Sequence, residues 1–166
     1  MLLSNARKNS EGFTLIETLI IVVIVGILSA IAAPSFLGLF GRNKVDNALN
    51  QARGALQECQ REAIRKSKSY TVTLNTTNKT LTGDCLVTGS RNFNSSVNVQ
   101  TNETSFQFSY RGTITLPDAG TVVLSTLDDP NKKKCLVISA PLGIMRTGVY
   151  DSSVTSIAAS NCSTSQ

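Results

Sequence analysis

The sequence predicts an α+β chain: a long N-terminal α-helix whose first half suits a membrane, packed through its second half on an antiparallel β-sheet domain. Three observations predict it. Phe13 to Phe40 is a 28-residue stretch in which Glu17 is the sole formally charged side chain. From Val45 to Ile64 the apolar residues recur at steps of three and four, the period of a helix with one buried face. After Ser69 the step falls to two, the period of a strand.

Residues 1–12 (MLLSNARKNSEG) are polar and carry Arg7 and Lys8, which suits the cytoplasmic flank of a first apolar helix. Residues 13–40 would form a helix about 42 Å long, more than a bilayer core of about 30 Å. An ordinary secretory signal has a shorter apolar region and a small-x-small cleavage site. Ala30-Ile31-Ala32 imitates such a site, yet the apolar run continues to Phe40. Glu17 is the odd residue, because a carboxylate in a membrane helix costs about 2.5–3.5 kcal/mol on insertion scales. It either stays wet at the interface or has a task. Gly26 and Pro34 are the weak points of the helix, since proline removes one ladder hydrogen bond and crowds the preceding turn.

Residues 41–68 read as an amphipathic helix, with Val45, Ala48, Leu49, Ala52, Ala55, Leu56, Cys59, Ala63 and Ile64 on the apolar stripe. Arg53, Gln57, Gln60 and Arg61 lie largely off it. Residues 69–166 are the β-rich domain. Tyr70-Val72-Leu74 alternate with threonines ahead of the polar turn NTTNKT. Phe106-Phe108-Tyr110 and Ile114-Leu116 flank Arg111-Gly112 and predict a hairpin. Val122 to Leu124 and Cys135 to Ile138 predict two strands joined by LDDPNKKK, and Ile144 to Val149 another. Residues 88–104 and 151–166 are rich in Ser, Thr and Asn and read as loops and tail.

Composition narrows the chemistry. The 166 residues include no histidine, which removes the commonest general base and the commonest metal ligand. No nucleophile–base pair, phosphate loop or metal cluster stands out, so an enzyme, a metal and a cofactor are not expected. Cys59, Cys85, Cys135 and Cys162 show no zinc spacing; outside the cytoplasm they allow two disulfides in three pairings, and otherwise four buried thiols. Net charge is +5, concentrated between Gly41 and Ser69, with seven Lys/Arg against three acids, and in Lys132-Lys133-Lys134. Such faces meet nucleic acid, anionic lipid or an acidic partner, or are simply solvated.

The basic leader, then Gly12-Phe13-Thr14-Leu15-Ile16-Glu17, then about twenty apolar residues containing Pro34, resembles the class III signal of type IV pilins and type II secretion pseudopilins. The resemblance implies a pilin-like fold and cleavage between Gly12 and Phe13 by a prepilin peptidase that methylates the new amino terminus. It implies that Glu17 pairs with the terminal amine of a neighbouring subunit during assembly. Implied partners are other pilins or pseudopilins, the peptidase and an inner-membrane assembly platform. The subunit would cross the inner membrane once, its globular domain in the periplasm, before entering a pilus or pseudopilus. A pilin-like C-terminal disulfide loop would join Cys135 to Cys162, leaving Cys59 on the helix to staple to Cys85.

A second resemblance covers residues 41–150. LQECQREAIRKSKSYTVTL and CLVISAPLGIMRTG look like GspH/FimT-type minor pilins and pseudopilins. Some of that group are thought to bind DNA through a late Gly-Arg-x-Arg pattern. Here the segment is Gly143-Ile144-Met145-Arg146, so the first arginine is replaced and the DNA reading weakens. Three functions are compatible with these features: a minor pilin that starts or caps a type IV pilus, with a role in adhesion or DNA uptake; a minor pseudopilin of a secretion system; or a DNA receptor using Lys132, Lys133, Lys134 and Arg146 as a phosphate-contacting patch.

Overall fold

The computed structural model describes residues 12–117 and 119–164, and for residues 33–38 the backbone alone. The leader therefore lies outside the described residues apart from Gly12. One helix, α1, runs from Leu15 to Arg65, and its backbone is helical through both Gly26 and Pro34. The chain forms two units, the first ending at Leu39 and the second running from Phe40.

In the first unit, Leu15–Ala32 is long and apolar enough to cross a membrane. Its side chains are exposed all round, from Leu15, Ile16 and Leu19 to Leu28 and Ile31. A helix that is apolar on every face has nothing of its own to bury it, so lipid or other helices must cover it.

In the second unit the same helix has one face. Val45, Ala48, Leu49, Ala52, Ala55, Leu56, Cys59 and Ala63 are all buried. Two antiparallel sheets supply the rest of the core. The first comprises β1 (Tyr70–Asn75), β2 (Thr80–Thr82), β3 (Ser90–Asn92) and β5 (Ser105–Phe108), ordered β3-β2-β1-β5. The second comprises β4 (Val97–Thr101), β6 (Gly120–Thr126), β7 (Lys133–Ser139), β8 (Ile144–Tyr150) and β9 (Cys162–Ser163), ordered β4-β6-β7-β8-β9. Phe106 and Phe108 from one sheet join Val122, Leu124, Leu136 and Ile138 from the other around Leu56 in one apolar cluster.

Several expectations need correction. The sheet domain holds two sheets rather than one. Helix α1 stops at Arg65 rather than near Lys68, and Ile64 is 52% exposed although it falls on the apolar period. The hairpin around Arg111-Gly112 shrinks to one bridge, Phe108 to Ile114; the chain reverses at Gly112, whose φ of +78° suits glycine. Segment 88–104 contains β3 and β4. Its signal is short because Val97 and Val99 are the only inward apolar pair of β4.

Residues 151–164 do more than trail. Every residue of β6 is buried, because both faces of that strand are covered. Val122 and Leu124 face the main core, while Val123 packs with Cys135, Tyr150, Ile157 and Cys162 on the far face. Tyr150 holds the tail there: its hydroxyl donates to the Ser156 carbonyl (2.7 Å) and accepts from the Ala158 N–H (3.1 Å). Disulfides join Cys59 to Cys85, Cα atoms 4.9 Å apart, and Cys135 to Cys162, 6.0 Å apart. Loops of this length are worth about 3 kcal/mol each in the chain-entropy account.

Candidate functional site

The segment Gly12–Glu17 sits at the start of α1. Gly12 and Phe13 precede the helix in irregular backbone, and both are exposed. A Cβ at Gly12 would meet nothing within 4 Å, so the Gly12–Phe13 peptide bond is open to approach. Thr14 then caps the helix. Its Oγ1 accepts the Glu17 N–H at 3.3 Å, and its carbonyl accepts the Thr18 N–H at 3.2 Å. Threonine three residues before a glutamate is the capping-box spacing. Sequence reasoning passed over this cap, although T-x-x-E in front of an apolar run is its signature.

The cap assigns Glu17 a local role. An acid in the first helical turn is favoured by the unpaired N–H groups and dipole of the N-terminus. That role leaves the carboxylate uncompensated. Among the described residues no cation lies within ion-pair distance of Glu17, and exposed Ile20, Ile21 and Ile24 follow it along the same face. Placed in lipid, such a group demands a cationic partner from outside its own apolar helix. Gly26 lies on the same exposed helix, with open space where a Cβ would stand.

The basic residues do not converge. Lys132 pairs with Asp129 at 2.6 Å, holding that carboxyl below its ordinary range through the hydrogen bond it donates. Lys134 pairs with Asp46 on α1, so it points to the helix side of the second sheet. Lys133 and Arg146 occupy the opposite face, since strand neighbours alternate and Lys133 stands opposite Tyr150 while Arg146 stands opposite Val137. Arg146 is thus four residues along β8 from the Lys133 row, about 13 Å away. The four-residue phosphate patch read from the sequence is not assembled. Strand parity and an acid on the helix, invisible in a run of lysines, divide it.

Two polar residues on α1 were missed and fasten the second unit. Glu58 accepts Arg91 at 2.9 Å and the Val87 N–H at 2.8 Å, tying β3 and the Cys85 loop to the helix. Gln60 donates from Nε2 to the carbonyls of Gly112 (2.8 Å) and Gly143 (3.3 Å). It clamps two reversals at the C-terminal end of α1. Close by on the helix, the Glu62 carboxyl is held down at about 2 by hydrogen bonds from Arg65 and then Lys66.

Residues 7–33 match the family described as the prokaryotic N-terminal methylation motif. The chain is 37% identical over 70 residues to the type IV major pilin protein PilA of Myxococcus xanthus, a match spanning 42% of this chain and 31% of that protein. The chain thus spans less than two-fifths of the length of the curated relatives it matches first. In fold it resembles the type IV minor pilin FimU of Pseudomonas aeruginosa, with a TM-score of 0.53 at 17% identity over 68% of this chain and 92% of that one. It resembles the minor pseudopilin EpsH of Vibrio cholerae as well, with a TM-score of 0.53 at 11% identity over 64% of this chain and 97% of that one. A methylation motif at the head of a bare apolar helix, and behind it a sheet domain with the fold of a minor pilin and of a minor pseudopilin, make the chain similar to type IV pilins and type II secretion pseudopilins.

Proposed function

We propose that the protein is a minor pilin of a type IV pilus that starts or caps the filament. A prepilin peptidase cuts between Gly12 and Phe13 and methylates the new terminus. The apolar half of α1 holds the subunit in the inner membrane, with the second unit in the periplasm. On assembly that helix moves into the filament core. Glu17 then pairs with the terminal amine of a neighbouring subunit, a partner that processing itself creates. Stranding one member of a buried ion pair costs about 3–5 kcal/mol, enough to bias incorporation towards subunits that complete it.

The observation that carries this reading is the coincidence at one place: an accessible Gly12–Phe13 bond, a lone carboxylate one helical turn on, and an apolar helix with no cover of its own. Likeness to FimU supports the minor-pilin reading. Likeness to EpsH at the same TM-score supports a second one, a pseudopilin of a type II secretion system, with the same role for Glu17. A DNA-uptake role draws no support from the separated lysines.

Mass spectrometry of sheared surface filaments and of washed envelope tests the choice. A methylated Phe13 terminus in the sheared fraction is the expected result. That terminus in the envelope alone favours the pseudopilin, and an uncut Met1 terminus in both overturns the processing reading.

A further inference from the structure

The end of the second unit where α1 stops carries a surface that the assembly reading leaves unused. Two reversals meet the end of the helix there. Gln60 bonds the Gly112 and Gly143 carbonyls, and a Cβ at Gly112 would meet Ile64 Cδ1 at 2.8 Å, so the turns around Arg111 and Leu142 abut the last helical turn. Ile64 (52%), Tyr110 (50%) and Leu142 (64%) are exposed at this end. Cations surround them. Arg111 lies over the Tyr110 ring at 5.2 Å, Lys68 over the Tyr70 ring at 5.5 Å, and Arg61 is exposed one turn before Arg65. Arg65 and Lys66 are both engaged by Glu62. Among the described residues no acid lies within ion-pair distance of Arg61, Lys68 or Arg111. The described residues named at this end are therefore five cations and one acid, Glu62.

The opposite end, where α1 enters the unit, is basic as well. Gly41 lies against Thr126, and Lys134 bonds Asp46, so the β6–β7 loop and the start of the helix segment share that end. It holds Arg42, Lys44 and Lys132 to Lys134 against Asp46, Asp128 and Asp129. A second copy stacked head to tail would bring two basic ends together, and like charges facing one another across an interface are strongly disfavoured.

We propose that the Ile64–Tyr110–Leu142 surface with Arg61, Lys68 and Arg111 is a docking face for the acidic surface of a different filament subunit, one that also offers apolar side chains. The proposal rests on the filament reading above, but its geometry lies wholly within the second unit and does not involve Glu17. Apolar contact at the centre supplies affinity, and the ring of cations selects against a second copy.

The test uses the full chain held in nanodiscs of neutral lipid, with empty nanodiscs as the blank and fluorescence anisotropy as the readout. The probes are a labelled peptide of alternating Glu and Leu, an all-Glu peptide of equal charge, and a DNA duplex. The Glu/Leu peptide is expected to bind at least about tenfold tighter than the all-Glu peptide, and Arg61→Glu/Lys68→Glu/Arg111→Glu to weaken it by about tenfold or more. Lys132→Glu/Lys133→Glu is expected to leave binding unchanged, as is Glu17→Ala. Equal loss in the lysine variant would overturn the site. Tighter binding of the duplex would overturn the partner class in favour of nucleic acid. Self-association of nanodisc-held copies that disappears in the triple variant would overturn it in favour of a second copy. No peptide binding above the blank at low salt would overturn the proposal outright. Because Glu17→Ala is silent in this assay, failure here is distinguishable from failure of the assembly reading.

Discussion

The two halves of α1 share one secondary structure and little else. Leu15–Ala32 has apolar side chains on every face and buries none of them, whereas Val45–Ala63 confines its apolar residues to one stripe and buries the stripe completely. The difference lies in where the covering surface comes from. Both sheets of the second unit supply it for the C-terminal half. For the N-terminal half it must come from lipid or from other molecules, so that half is free to change its surroundings while the other half stays folded.

Four experiments would break or sharpen that division, the largest effect first. Gly12→Val is expected to abolish processing, because a branched side chain at the junction obstructs the peptidase while leaving the second unit untouched. Unchanged mass of the envelope-bound protein relative to its precursor checks it, and normal cleavage would remove Gly12 as the junction. Glu17→Ala is expected to leave cleavage intact and to lower incorporation into sheared filaments by about tenfold or more, as the loss of a buried ion pair implies. Quantitative immunoblots of sheared and envelope fractions measure it; wild-type incorporation would end the pairing argument.

The third comparison pits like against like. Leu56→Ala removes a fully buried side chain and is expected to destabilise the second unit by about 2–5 kcal/mol. Ile24→Ala, on the bare half, is expected to leave the melting transition of the second unit in place. Thermal melts of both variants in the same detergent decide it, and equal shifts would show that the two halves are not energetically separate.

The smallest effect concerns Glu62, whose carboxyl is lowered from an ordinary 4.5 to about 2, first by Arg65 and then by Lys66. A depressed folded-state value means the stabilisation is fully present above the ordinary value and is lost as pH falls towards about 2. Both cationic partners are largely open to solvent, so the contribution is small. The melting-point difference between wild type and Glu62→Gln should shrink from about pH 5 downwards and vanish below about pH 2. A difference that persists unchanged at pH 2 would rule out the ionised pair as its cause.

Much of the molecule is legible in local pattern, and the failures share one cause. Ile64 obeys the helical period, but the buried stripe ends at Ala63 because the turn at Gly112 covers only part of the Ile64 side chain. Strand β3 escapes notice because Ser90-Arg91-Asn92 has no apolar residue to alternate, and β4 because its neighbour β6 lies beyond an intervening strand. The basic run at Lys132 reads as one patch along the chain and becomes three environments in space. Thr14 could have been read as a cap from its spacing to Glu17 alone.

By itself, then, the sequence determined the match to the N-terminal methylation motif over residues 7–33, the apolar and amphipathic halves of α1, and the change to strand period after Ser69. These are properties of consecutive residues, encoded in spacing and hydropathy. Tertiary structure alone decided that the strands split into two sheets, that residues 151–164 cover the outer face of β6 and β7, and that the cations separate into paired and unpaired groups. Each of those outcomes depends on which distant segment arrives opposite a given side chain, and only the folded chain makes that choice.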